Sequence, residues 1–393
     1  MRTGSYAMRV MRVEPSRFSD FASRSAGAVW RRYDLQLTTY AALLGAFGLV
    51  MAYVNTVEDG HQALAEGMVF SRALIWVALA IVVYLVTSAF DYKWIRTFTW
   101  PLYVVNIGLL GMTLAIGSGV GGAARWVSLG PLTFQFSELA KILMIGVLAS
   151  YLGNREGSLN RLPSILGACL LVLPPWVLVM VQPDLGTSLV LLAILAGMLF
   201  MSGASLRWLT AMAAAVVAAI PFAWTYILHD YQKERLTSFL NPGADTQGAG
   251  WQVLQVQIAV GSGGIFGTGL TNGTQSRGQF LPVQETDFVF AVLAQELGFL
   301  GAIVVFLLFT ALLWRILTGA WRSKDPFGRL FGAGVASMLL FQVFVNVGMV
   351  IGILPVTGIP LPFITHGGAS LLSIAIGLGV LQSINIRQQR AEW

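Results

Sequence analysis

Gly278-Gln-Phe-Leu-Pro-Val-Gln-Glu-Thr-Asp287-Phe-Val-Phe-Ala-Val-Leu-Ala-Gln-Glu296-Leu-Gly298 joins two kinds of chain. Before Asp287 the sequence is polar and rich in glycine. After it, an apolar run continues past residue 310, longer than the ~20 residues that cross a hydrocarbon core. The stretch predicts a membrane helix with a carboxylate at its mouth. At such a place water, headgroups and low dielectric meet, so a charge there is strongly felt. The bland alternative is an N-cap, because Thr and Asp commonly begin helices. Spacing alone does not separate the two.

Outward from this join the whole chain has the same character. It has 393 residues, 56% hydrophobic and 11% charged, with 43 glycines and a mean hydropathy of +0.73. A soluble domain carries about 25% charged residues. The composition therefore predicts an all-α, polytopic membrane protein. Apolar runs place ten transmembrane helices at roughly 35–54, 72–90, 98–116, 137–152, 164–181, 185–201, 208–228, 287–314, 330–352 and 369–386. An even number puts both termini on one side. On that side fall most of the 24 Lys and Arg; the other side has Arg125, Lys233, Arg235 and Arg277. The positive-inside rule then makes both termini cytoplasmic.

The expected organisation is a basic cytoplasmic tail at 1–34, a ten-helix membrane domain at 35–386, and a cytoplasmic C-terminal tail at 387–393. The tail has no apolar core of the kind a signal peptide carries. The single cysteine, Cys169, excludes an internal disulfide. The longest polar insertion, 229–286, becomes a large extracytoplasmic loop between helices 7 and 8. Within it Trp251, Leu254 and Ile258 make a helical stripe, which suggests an interfacial or re-entrant helix. Gly261 to Gly273 reads as a flexible stretch. No nucleotide, HEXXH, CXXC or GXSXG motif is present, and His61, His229 and His366 are dispersed.

Ionisable groups in a span are costly, so each asks for a reason. Ser137-Glu138-Leu-Ala-Lys141 opens the fourth span, with Ser137, Glu138 and Lys141 on one face. Lys141 either pairs with Glu138 in its own helix, snorkels outward, or reaches Asp287 and helps to hold an anionic substrate. Arg125-Trp126 suits bidentate phosphate contacts and sugar stacking, or an ordinary interfacial anchor. In Gln182-Pro-Asp184-Leu-Gly-Thr187, proline ends one helix and capping of the next by Asp184 is the favoured reading. Arg235 suits a phosphate contact or a solvated loop. Glu296 lies nine residues after Asp287, half a turn away in azimuth, and reads as a structural bond to a neighbouring helix.

Together these stretches resemble the SEDS family, the RodA/FtsW/SpoVE polymerases of bacterial cell-wall synthesis. The resemblance rests on Arg125-Trp126, Ser137–Lys141, Gln182–Thr187, Asn241-Pro242, Gly248–Gly250, Gly273–Ser276, Phe280–Pro282, Thr286–Phe288, Glu296–Gly298 and Leu354–Phe363, in family order. Val356-Thr-Gly-Ile-Pro-Leu-Pro-Phe363 looks like the RodA branch. Thr365-His366 and Trp251 depart from the usual family residues.

The resemblance implies a peptidoglycan glycosyltransferase that polymerises lipid II, a disaccharide-peptide on undecaprenyl pyrophosphate, into β-1,4 glycan strands outside the cytoplasmic membrane for cell elongation and shape. It places the catalytic aspartate on Asp287. It places substrate-binding positions on Arg125, Trp126, Ser137, Glu138, Lys141, Gln182, Asp184, Arg235 and Gln275. It implies no certain cofactor, leaving room for a divalent cation such as Mg or Mn. Its implied partner is a class B penicillin-binding transpeptidase. A lipid II flippase or transporter is the rival from another class, since broken helices and intramembrane charges suit one. A non-catalytic scaffold is the third.

Overall fold

The computed structural model describes residues 33–58, 68–117, 125–129, 132–155, 157, 161–226, 228–241, 248–278, 286–365 and 367–388. The basic tail up to residue 32, His366 and residues 389–393 lie outside that set, as do Pro242 and Phe280–Pro282.

Every predicted span is a helix. In chain order these are α1 (Leu35–Glu58), α2 (Met68–Ala89), a short α3 (Lys93–Thr97), α4 (Thr99–Ile116), α5 (Phe136–Gly153), α6 (Leu162–Val181), α7 (Leu185–Met201) and α8 (Leu206–Tyr226). After the large loop come α12 (Val289–Arg322), α13 (Pro326–Val350) and α14 (Gly368–Gln388). Among the described residues nine helices are long and apolar enough to cross a membrane. The tenth, α7, has 17 residues and spans only about 25 Å at 1.5 Å per residue. Its start is fixed by Asp184, whose side chain accepts from the Thr187 amide at 3.1 Å.

Helices α5 and α13 form the centre, with Met144, Ile145, Leu148, Val335, Met338 and Leu339 among their fully buried side chains. Helix α8 has no buried residue at all. Between α4 and α5 lies a small antiparallel pair, β1 (Val127–Leu129) and β2 (Leu132–Phe134), in register Val127 to Phe134. At the end of the bundle away from Asp287, Asp34 takes both oxygens to Arg315 Nε, at 2.7 and 2.9 Å.

The described parts of the large loop are held by backbone contacts. It carries α9 (Asp230–Leu240), α10 (Ala249–Ser262) and α11 (Thr274–Arg277). Helix α12 breaks at Gly298, whose φ of 66° and ψ of −167° are non-helical. The segment 264–269 lies along this break. The Phe299 amide donates to Gly264 O at 2.9 Å and the Leu300 amide to Ile265 O at 3.1 Å. In return Thr268 and Gly269 donate to the carbonyls of Gln295 and Glu296 at 3.0 and 3.1 Å. In hydrocarbon a broken helix needs such partners for its freed backbone groups. The expected flexibility of 261–273 is therefore corrected: the glycines serve close approach. A Cβ on Gly298 would strike the Gly267 amide and the Ile265 carbonyl. The Glu296 expectation is also corrected, since its carboxylate accepts from the Gly273 amide at 2.7 Å, in this loop and not on a neighbouring helix.

Candidate active site

Asp287 stands two residues before α12, where the chain leaves the loop. It does not cap the helix: Phe288 holds the N-cap position and no side chain caps it. Asn346 on α13 instead fixes the backbone, donating to Asp287 O at 3.2 Å and Ile359 O at 2.8 Å. Thr365 completes the frame. Its hydroxyl donates to Thr286 O at 3.1 Å and accepts from the Leu361 amide at 2.8 Å. Asn346 is not singled out from sequence, and Thr365 stands out there only as a departure from the usual family residues. The available signal was a lone Asn inside an apolar span, which in membranes usually bonds across helices.

The carboxylate is partly buried, and burial pushes its pKa above the usual carboxylate range because desolvation disfavours the charged form. The Arg235 guanidinium, the Thr286 side chain and Arg125 pull it back, and Asp184 pushes it up. Gly358, with φ of 72°, lets the loop pass close to both the carboxylate and the guanidinium. A Cβ there would lie 3.4 Å from Asp287 Oδ2 and 3.6 Å from Arg235 Nη1.

Arg235 comes from α9 and Arg125 from the start of the β-hairpin segment. Both line a pocket of about 100 Å³ with Gln232, Leu189, Pro183 and Thr357. The Thr357 hydroxyl is buried there without a partner. Arg125 is itself anchored: Nε donates to Gln182 O at 3.0 Å and Nη2 donates to Pro183 O. Trp126, next along an extended chain, turns the other way, as alternate residues do, and lines a different cavity.

The remaining predicted residues form a supporting layer. The carboxylate of Asp184 accepts from Gln135 Nε2 at 2.9 Å and Ser137 Oγ at 3.3 Å, besides capping α7. Gln182 Nε2 donates to Leu110 O at 2.9 Å. Lys141 donates to Glu138 at 2.7 Å, both side chains nearly inaccessible. The expected Lys141–Asp287 pair is thus corrected to the intrahelical pair, which spacing had left as an alternative. Gln275 sits on α11 with its Oε1 buried and unpartnered. Among the described residues no three His, Cys, Asp or Glu side chains gather as a metal cage would require. The described residues therefore do not by themselves build a divalent-cation site.

This arrangement can hold an anion beside a group able to take a proton. Comparison with known proteins shows the family to which the chain belongs. The family model FTSW_RODA_SPOVE, described as cell cycle protein, matches residues 34–390. The peptidoglycan glycosyltransferase MrdB of Escherichia coli K12 is 39% identical, covering 92% of this chain and 96% of the relative. The peptidoglycan glycosyltransferase RodA of Treponema pallidum is 33% identical over 91% of this chain and 98% of its own. Among solved structures, a chain from a study of coordinated polymerization and crosslinking by a peptidoglycan synthase complex superposes with a TM-score of 0.77. It is 31% identical and covers 91% of this chain and 98% of its own. The rod shape determining protein RodA of Thermus thermophilus superposes with a TM-score of 0.67 at 29% identity, covering 91% of this chain and 97% of its own.

Proposed function

The chain belongs to the FtsW/RodA/SpoVE family, and on that premise we propose how it works as the peptidoglycan glycosyltransferase it is. Its role is peptidoglycan polymerisation in support of cell shape. The substrate is lipid II, and the reaction takes place on the outer face of the cytoplasmic membrane. One observation carries the mechanism: the partly buried Asp287 carboxylate lies beside Arg235 and within the field of Arg125.

Asp287 takes the proton from the 4-hydroxyl of the acceptor's GlcNAc. That oxygen forms a bond to the anomeric carbon of the donor's MurNAc, and the bond from this carbon to the diphosphate oxygen breaks. The electron pair leaves with the diphosphate, whose charge Arg125 and Arg235 neutralise. Attack from the face opposite the leaving group turns an α link into a β-1,4 link. A base so placed supplies roughly 10²–10⁴-fold. The preorganised cations stabilise charge that grows in the transition state. Because burial keeps the pKa of Asp287 raised, its ionised form is a stronger base than an exposed carboxylate.

Ser137, Gln182 and Asp184 act by holding Arg125 and the α6–α7 corner. The expected partner is a class B penicillin-binding transpeptidase with one membrane helix. The exposed apolar side chains Phe299, Leu307 and Trp314 of α12 and Leu340 and Phe344 of α13 suit such a helix.

The test is purified protein with lipid II. A glycan ladder that disappears in Asp287→Asn supports the reading. Leaflet exchange of lipid II without a ladder would instead favour the flippase.

A further inference from the structure

Two cavities flank the segment that carries Asp287, and they differ in chemistry. One is the arginine-lined pocket just described. The other, about 210 Å³, is lined by Arg72, Trp76, Trp126, Thr133, Thr286 and Thr365. This second cavity continues into an apolar gutter of about 230 Å³ between α1, α2 and α14. The two share Gly45, Leu49, Val77, Phe363 and Leu371. At its far end Thr38 and Tyr84 meet at 2.7 Å, joining α1 to α2. From Arg72 to Tyr84 is 12 residues of α2, or about 18 Å at 1.5 Å per residue, more than half of a ~30 Å hydrocarbon core. Gly368 lets the Trp76 ring lie against the start of α14, since a Cβ there would strike it.

We propose that this cavity and gutter bind the acceptor, a polyprenyl-diphosphate-linked disaccharide, with its tail between α1, α2 and α14 and its diphosphate at Arg72. The assignment rests on the glycosyltransferase reading above and follows from the shapes of the two substrates. In the donor, the diphosphate is attached to the reacting carbon, so its cations must stand beside the base, as Arg235 and Arg125 do. In the acceptor, the reacting hydroxyl is at the far end of the disaccharide from its diphosphate. Its cation must therefore stand away from the base, with sugar-binding surface between. Thr286 adjoins the base, Trp126 and Trp76 offer stacking faces, and Arg72 marks the far side of the same cavity. The opposed side chains of Arg125 and Trp126 keep the two substrates on opposite sides, as displacement with inversion requires.

A polyprenyl diphosphate with a photoreactive tail, crosslinked to the full chain in vesicles, tests the gutter without turnover. Adducts should fall on α1, α2 and α14. They should drop at least tenfold in Gly45→Phe, because a side chain at Gly45 enters open space. Adducts confined to other helices, or unchanged in that variant, overturn the gutter.

A single-coupling assay tests the acceptor role. Its donor-only substrate lacks the 4-hydroxyl, and its acceptor-only substrate carries a methylene phosphonate that cannot depart. Arg72→Gln should raise the acceptor KM about tenfold or more, the scale of one charge-assisted contact, and leave the donor KM unchanged. Arg235→Gln should show the reverse. A rise in the donor KM alone on changing Arg72 overturns the acceptor assignment. Because crosslinking needs no catalysis, a failure there is distinct from a failure of glycosyl transfer itself.

Discussion

Asn346 holds the main chain of Asp287 and never touches its carboxylate: Nδ2 reaches Asp287 O at 3.2 Å and Ile359 O at 2.8 Å. One amide thus joins α13, the mouth of α12 and the 353–365 segment, and sets the height of the carboxylate over the cationic pocket. Asn346→Leu keeps the bulk but leaves two carbonyls unpaired. We expect a stability loss of about 1–3 kcal/mol and a fall in polymerisation on the order of 10²-fold, the scale of a small misplacement. Thermal unfolding in detergent and ladder formation measure the two.

Asp287→Asn should abolish ladder formation, a loss of roughly 10²–10⁴-fold, while the protein inserts normally. Its stability should rise at neutral pH. The pKa is raised on folding, so the folded state holds this proton more tightly than the unfolded chain. The contribution of Asp287 is fully present below the unfolded pKa and is lost as pH rises through the folded one. Asparagine does not pay that loss. The melting temperatures of the two proteins should converge as pH falls below about 4.

Arg235→Gln should move the acid limb of kcat/KM to higher pH, in addition to slowing the reaction. The guanidinium pulls the Asp287 pKa down; without it the base is protonated sooner as pH falls. Arg235→Lys restores the charge and should bring the limb most of the way back. An unmoved limb in the glutamine variant would mean that Asp287 is not the titrating base.

Lys141→Met leaves Glu138 buried and uncompensated, which costs about 3–5 kcal/mol for a buried pair. The double change Lys141→Met with Glu138→Leu should recover most of that stability. Ladder formation in the recovered double variant separates packing from any contact of Lys141 with substrate. A double variant as unstable as the single one would contradict the intrahelical pair.

Gly298→Ala puts a Cβ against Gly267 and Ile265 at a φ of 66°. The strain alone is on the order of 1–3 kcal/mol. Loss of the 264–269 contacts should appear as faster proteolysis of the large loop and weaker activity.

The helices were legible because each apolar run is long and bounded by Pro, Gly or charge. The position of Asp287 was legible because composition changes sharply there. The partner of Lys141 was not, since three-residue spacing permits Glu138 but cannot weigh it against a residue far along the chain. The glycines of 261–273 announced backbone freedom without saying which backbone they would approach. The β1–β2 pair has a sequence signal, as Val127-Ser-Leu and Leu132-Thr-Phe alternate about Gly130-Pro131. The pairing of Asn346 with a main-chain carbonyl needs coordinates.

The interruption of α12 at Gly298 also has a bearing on biogenesis. Neither the upper half of that helix nor the loop stretch at 264–269 has a satisfied main chain by itself, so neither is a stable passenger in lipid alone. The 264–269 stretch is synthesised first and must linger near the translocon until residues 289–300 emerge. A ribosome stalled after 264–269 has left its exit tunnel but before 289–300 has done so should hold an intermediate that proteases cut in the loop, and release of only a few dozen further residues should close it.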